Sequence, residues 1–275
     1  MKVPFDYHGK SVFVAGGTSG INLGVALRFA EAGAGVGVLS RSQQKVDDTV
    51  KALKQHGVKA VGIAADVRDA NAVEHALRTA HGELGDFDVL VSGAAGNFPA
   101  PALGISPNGF KSVVDIDLIG TFHVLRAAFP LMRKPGGSIV NISAPQAWIP
   151  MELQMHVCAA KAGVDMITRV AAMEWGPDGL RVNSISPGPI ENTEGMRRLA
   201  PTPQAEEAIR KTVPLGTFGT TTDIADACLW LGSPYARYIS GCVIPVDGAW
   251  SVSGVSVSGA MVRQMFAEAT KAKKA

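Results

Sequence analysis

Ser11–Gly24 reads SVFVAGGTSGINLG. Its first five residues, Ser11 to Ala15, are apolar and β-branched enough to form a buried strand. A glycine-rich turn follows, then an alanine- and leucine-bearing helical pattern from Val25 to Ala32. Strand, glycine turn and helix in that order are the context a dinucleotide-phosphate loop requires. Gly16 and Gly20, with Thr18 and Ser19 between them, let the backbone turn tightly and approach a pyrophosphate. Free amides at the helix N-terminus then supply partial positive charge for the anion. The spacing Gly16-x-x-x-Gly20 differs from G-x-G-x-x-G, and Asn22 stands where a third glycine is expected.

The chain has 275 residues, enough for one large α/β domain. Lys plus Arg number 26 and Asp plus Glu 24, so the net charge of +2 gives no reason to expect a nucleic-acid partner. The three cysteines, Cys158, Cys228 and Cys242, have no metal-like spacing. Few cysteines and no recognisable signal peptide point to the cytoplasm. No apolar run approaches the roughly 20 residues of a membrane span.

Strands are expected at Ser11–Ala15, Gly35–Ser40, Ala60–Ala65, Val89–Ser92, Ser138–Ile142, Leu180–Ile185 and Gly241–Val246. Helices are expected between them, including Ala70–His81, one continuous element over Phe110–Met132, and Met155–Trp175. This rhythm predicts an α/β fold: a Rossmann-type, doubly wound, parallel seven-stranded sheet in three layers, as a single domain. Ligands in such sheets bind beyond the carboxyl ends of the strands.

The turn after the second strand, Ser40-Arg41-Ser42, carries a guanidinium and no acid. An acid there would suit the ribose diol of NAD, whereas Arg41 suits the 2′-phosphate of NADP(H). Asp66 follows the third strand and is placed either to accept from the adenine amino group or to cap the next helix.

Taken together, the glycine turn, Asp66-Val67, Gly93-Ala94-Ala95-Gly96, Val140-Asn141-Ile142-Ser143, Lys161, Arg181-Val182-Asn183 and Pro187-Gly188 resemble the short-chain dehydrogenase/reductase family from about Gly9 to Trp250. The resemblance implies an NADP-binding domain over residues 1–250. Gly16, Gly20 and Ile21 would line the pyrophosphate, and Ala94 and Gly96 would flank the adenosine ribose. Lys161 would bind the nicotinamide ribose, Pro187, Gly188 and Ile190 would hold the nicotinamide ring, and Thr193 would lie near the phosphates.

Two departures are informative. The tyrosine that most members place four residues before the lysine is Val157 here, and the usual serine is Ala144. A positioned acid contributes about 10²–10⁴ in rate, so ordinary ketone reduction would suffer. The chain is similar in this respect to the 2,4-dienoyl-CoA reductases of peroxisomal type. Ala94-Ala95-Gly96-Asn97-Phe98, Asp115-Ile116-Asp117, Gly120-Thr121-Phe122, His156, Glu174-Trp175-Gly176-Pro177 and Pro187-Gly188-Pro189-Ile190 with Thr193-Glu194-Gly195 carry that resemblance. A conjugated thioester accepts hydride on carbon and needs donors at its oxygen and a proton for carbon. Lys161, Asp117 and Asn97 are the expected catalytic residues, Asp117 by orienting a water unless its side chain is passive.

Phe98, Trp148 and Met151 would wall an acyl pocket or else pack the core. Arg197 and Arg198 would meet the phosphates of CoA or form a plain surface pair. His156 could donate a proton but more often such a residue hydrogen-bonds locally, and Cys158 is read as a small buried thiol. Residues 251–275 are expected to be a partly helical extension with an amphipathic stripe (Met261, Val262, Met265, Phe266) and a basic tail. The resemblance also implies a homo-oligomer, a tetramer, through the two long helices. The alternatives are a carbonyl or alcohol oxidoreductase with a different acid and a non-catalytic NADP-binding sensor.

Overall fold

Short runs rich in Val, Ile and Ala form seven strands: β1 (Ser11–Ala15), β2 (Gly35–Ser40), β3 (Ala60–Ala64), β4 (Val89–Ser92), β5 (Ser138–Ile142), β6 (Arg181–Pro187) and β7 (Val243–Val246). They make one sheet in the order β3-β2-β1-β4-β5-β6-β7, and all six pairings are parallel. The structure, a computed structural model, describes residues 5–200 and 202–253. The winding reverses between β1 and β4, so the crevice beyond their carboxyl ends is where such a sheet accepts a ligand.

Side-chain alternation divides the core. Val12, Val14, Val36, Val38, Val89 and Val91 face α1 (Gly20–Glu31), α2 (Gln43–Lys54) and α9 (Thr221–Gly232), where Phe29, Leu53, Ile224 and Leu229 meet them. Phe13, Leu39, Leu90, Ile139 and Val182 point the other way, toward α3 (Ala70–Leu84), α5 (Gly120–Ala128) and α6 (Met155–Trp175). The result is the three-layer Rossmann-type arrangement expected.

The continuous helix expected over Phe110–Met132 is broken. It consists of α4 (Pro107–Val114), a π-helical turn over Asp115–Ile119, α5, and a short 3-10 turn at Phe129–Leu131. The Thr121 hydroxyl donates to the Asp117 carbonyl at 2.7 Å, offering that carbonyl a side-chain donor. The extra residue in the turn brings the Asp117 side chain inside. Other boundaries moved less. α1 begins at Gly20, because the glycine turn leads directly into it. β6 runs on to Pro187, and β7 starts at Val243 after a left-handed turn at Gly241. Trp250–Val252 is a 3-10 turn, and the expected stripe and basic tail beyond Ser253 lie outside the described residues.

Two further helices follow β6: α7 (Glu194–Leu199) and α8 (Pro203–Thr212). α1 and α9 are tied by buried Arg28, whose Nε donates to Asp226 at 2.7 Å and whose Nη1 donates to Glu31 at 2.8 Å. Both acids reach water, which screens the pair. Arg28→Ala is expected to destabilise the fold by about 1–2 kcal/mol, from lost charged hydrogen bonds and lost packing. A urea titration checks this through a lower midpoint at an unchanged slope.

Candidate active site

The turn from β1 to α1 is shaped by close approach. Gly16 has φ +79°, and a Cβ there would lie 2.8 Å from the Ala94 Cα of the β4 loop. Ser19 caps α1 in an extended conformation but its hydroxyl makes no capping bond, and no acid occupies the first turn. α2 and α3, in contrast, are capped by Ser42 and Asp69. Gly20, at φ +53°, has open space where a Cβ would stand. Uncapped amides facing open space fit a pyrophosphate group, and Thr18 and Ile21 flank them. Asn22, in the place of a third glycine, donates from Nδ2 to the Gly93 carbonyl at 2.6 Å and so holds α1 to the β4 loop.

Beyond β2, Arg41 is exposed. The Asp66 carboxylate is clasped by the Arg68 guanidinium at 2.6–3.1 Å and also accepts from the Arg68 backbone amide. Arg68, reinforced by Arg41, holds the Asp66 carboxyl below its ordinary range. Capping of α3 therefore falls to Asp69, not Asp66. Val67 is buried against Gly120, and its carbonyl is hydrogen-bonded to His123 Nδ1 at 2.9 Å.

Three segments converge on Asp117, which is 1% exposed. Its Oδ1 accepts from the Gly96 amide at 2.7 Å, and its Oδ2 lies 3.6 Å from Lys161 Nζ, which donates to the Ile142 carbonyl at 2.9 Å. Burial pushes the Asp117 carboxyl up, against the opposing pull of the Lys161 ammonium and the Gly96 amide. A close approach makes room for this: a Cβ on Gly163 of α6 would lie 2.8 Å from Leu118 of the π-turn. Where a tyrosine would stand, Val157 is buried with Val113 and Ala160, and Ala144 presents only a methyl.

Asn97 Nδ2 donates to Gln154 Oε1 at 3.2 Å, and Gln146 Nε2 donates to the same oxygen at 3.1 Å. Gln154 Nε2 in turn donates to the Met151 sulfur at 2.8 Å. This amide knot has no spacing signature, and sequence reasoning missed both glutamines. One of the Asn97 amide's N–H groups, expected to face a substrate, is spent on Gln154, and its Oδ1 is the buried atom without a partner. Phe98 and Trp148 are partly exposed.

Arg197 pairs with Glu194 and the Asn192 carbonyl. Arg198 also pairs with Glu194, its Nε donating at 3.0 Å, and its Nη1 donates to the Asn97 carbonyl at 2.5 Å. Thr193 caps α7: its hydroxyl accepts from the Met196 amide and donates to the Ile190 carbonyl. Beyond Pro187, at the end of β6, Gly188 lies so close to Asp247 that a Cβ would come within 2.6 Å of the Asp247 Cα, and Ile190 is buried.

A family profile described as Enoyl-(Acyl carrier protein) reductase matches residues 15–251. The peroxisomal, (3E)-enoyl-CoA-producing 2,4-dienoyl-CoA reductase of Arabidopsis thaliana is 41% identical over 250 residues, covering 87% of this chain and 84% of its own. A Bacillus subtilis protein named "Probable 2,4-dienoyl-CoA reductase [(2E)-enoyl-CoA-producing]" is 38% identical over 242 residues, covering 87% of this chain and 95% of its own. Among solved structures, carveol dehydrogenase from Mycobacterium avium in complex with NAD superposes with a TM-score of 0.84 at 27% identity, covering 89% and 98% of the two chains. The fold they share, and identity sustained over most of each sequence, give one conclusion: the chain belongs to the short-chain dehydrogenase/reductase family.

Proposed function

We propose that this protein is an NADPH-dependent 2,4-dienoyl-CoA reductase. The observation that carries the reading is a cleft without a hydroxyl at Val157 or Ala144 that keeps the buried Lys161–Asp117–Gly96 triangle. Relatives at about this identity named for dienoyl-CoA reduction support it. A bound reduced nicotinamide supplies the hydride, which adds to the substrate carbon remote from the thioester.

The chain's own residues manage the charge and the proton that remain. Electrons displaced along the conjugated system accumulate on the thioester oxygen, and the proton must then arrive at carbon. Lys161 lies beside Asp117 and favours negative charge in the cleft. Asp117, kept protonated to higher pH by burial, delivers its proton through a water. Delivery next to the thioester yields the (3E) product named for the Arabidopsis relative. Gly16, Thr18, Ser19, Gly20 and Ile21 hold the pyrophosphate, and Arg41 meets the 2′-phosphate. Asp66 and Val67 flank the adenine, Ala94 and Gly96 the adenosine ribose, and Pro187, Gly188, Ile190 and Thr193 the nicotinamide half. Phe98, Trp148 and Met151 wall the acyl chain, Asn97 lies beside the thioester, and Arg197 and Arg198 face the CoA phosphates.

No described helix is long and apolar enough to cross a membrane. The three free thiols fit a reducing compartment, which we take to be the cytoplasm. Ile119 and Phe122 with Met166, Val170 and Met173 of α6 leave an exposed apolar face, and we assign it to subunit contact in a homotetramer. Sedimentation is expected to show an assembly that Met173→Glu with Val170→Glu weakens.

With 2,4-hexadienoyl-CoA as substrate, NADPH consumption is expected, with little turnover of simple ketones. Lys161→Met and Asp117→Asn should each lower kcat by about 10²–10⁴. Because the Asp117 acid form is lost as pH rises through its raised value, wild-type kcat should fall on the alkaline side, and Asp117→Asn should flatten that limb. Arg41→Ala removes charge-assisted hydrogen bonds and should weaken NADPH by about 10- to 100-fold with NADH little changed, read by fluorescence titration. Consumption of NADPH with ketones alone would overturn the substrate class.

A further inference from the structure

We propose that His156 is a catalytic residue of this cleft, its ring N–H donating a hydrogen bond to the thioester carbonyl oxygen of the acyl substrate. The inference rests on the acyl-CoA reading above. His156 stands in the first turn of α6 and is 0% exposed, yet neither ring nitrogen has a hydrogen-bond partner among the described residues. His8, His81 and His123 all have partners in Asp6, Asp86 and the Val67 carbonyl. An imidazole carries hydrogen-bonding groups on both nitrogens, and leaving both unmet away from water opposes folding. Such a residue is retained where something other than the resting fold satisfies it.

Its surroundings say what that is. Val157, the next residue, fills the position from which a phenol would donate. The Phe98 ring lies edge-to-face against the imidazole, with centroids 4.5 Å apart, and is itself 36% exposed. Phe98 thus covers one side of the imidazole while its own surface reaches solvent. Two residues before His156, Gln154 holds the Asn97 amide, so the Asn97–Phe98 loop and the start of α6 meet at this point.

Lys161 and Asn97, the other expected donors, are partly engaged. Lys161 Nζ is bonded to the Ile142 carbonyl and faces Asp117. Asn97 Nδ2 is given to Gln154, while the Ser143 hydroxyl at the end of β5 is, like the imidazole, buried without a partner. The imidazole differs from Ser143 in offering two ring nitrogens, both uncommitted, in direct contact with Phe98. Rotation of the Phe98 ring as an acyl chain enters brings the thioester oxygen to it, and the bond strengthens as negative charge develops on that oxygen.

His156→Phe keeps the ring's shape and removes both nitrogens, and His156→Gln restores a donor. Against NADPH and 2,4-hexadienoyl-CoA, His156→Phe is expected to unfold at or above the wild-type temperature, because its unmet groups are gone. It should bind NADPH as wild type does and keep its KM, while kcat falls about 10²- to 10³-fold. His156→Gln should recover part of that loss. In protein labelled with ¹⁵N-histidine and loaded with NADP⁺, the unreducible thioester hexanoyl-CoA should shift one ring-nitrogen signal, the one missing from His156→Phe.

A kcat for His156→Phe close to wild type would overturn the proposal. So would a fall in kcat matched by equal losses of NADPH affinity and thermal midpoint, or a His156 signal indifferent to hexanoyl-CoA. If His156→Phe fails to fold, the nitrogen signal in wild type and the kcat of His156→Gln decide. Wild-type enzyme that consumes no NADPH with the dienoyl-CoA refutes the dienoyl reading instead, and the hexanoyl-CoA response still decides whether His156 meets a thioester.

Discussion

A carboxyl group sealed from water at Asp117 is the constraint around which the cleft is built. An ion of that size taken out of water costs several kcal/mol unless partners meet it, of order what a whole domain's net stability allows. The partners come from three separate segments: the Gly96 amide after β4, Lys161 on α6, and the π-turn that carries Asp117 itself. Gly120 and Gly163 are bare because Val67 and Leu118 come within 2.8 Å of where their side chains would begin. The irregular helix and the tight packing around it follow from placing this one group. Regular α-helix through residues 115–119 would leave Asp117 on a different face.

That placement also changes which chemistry the fold favours. A phenol beside a lysine delivers a proton to oxygen. On the proposed reading, a buried carboxyl with a raised proton affinity, with Val157 and Ala144 at the two positions where hydroxyls are usual, relays a proton through water to carbon. Lys161 is held by the Ile142 carbonyl with its ammonium 3.6 Å from Asp117, close enough to oppose the shift but not to cancel it. On that reading, apolar residues at these two positions redirect the site without dismantling it.

The sheet was legible in the sequence because each strand is a short apolar run bounded by turn residues, and the glycine turn marked the crevice. The break at Asp115–Ile119 was not. Val113, Leu118, Phe122 and Leu125 look helical because Val114 supplies the normal step of four to Leu118, which hides the step of five from Val113 that a π-turn makes. Lys161, Asp117 and Asn97 were visible as residue types at family positions, and the structure sets Lys161 beside Asp117 and turns the Asn97 amide to Gln154. The direction of the Asn97 amide was not visible, since Gln154 and Gln146 set it through contacts with no fixed spacing. Asp66 likewise read as a cap or an adenine acceptor, and only the fold shows Arg68 folding back onto it.

The distribution of unmet polar groups gives an independent view of the same site. Among the described residues, the buried side-chain atoms without a partner belong to Asn22, Asn97, Asn141, Ser143, Gln146, His156, Asp165 and Ser186. Asn22 abuts the β4 loop, Asn97 follows β4, Asn141, Ser143 and Gln146 follow one another through the end of β5, and Ser186 is next to last in β6. His156 and Asp165 lie on the helix that covers those ends. At the other ends of the strands the polar groups are met: Ser138 bonds the Leu231 carbonyl, and Asp88 holds the Ser11 amide, Lys10 and Arg133. A chain selected for stability alone would have no reason to keep its hydrogen-bonding deficit on one edge of the sheet. Confined to the carboxyl edge, where ligands bind in parallel sheets, that deficit is what a fold retains when part of its hydrogen bonding is completed by what it binds.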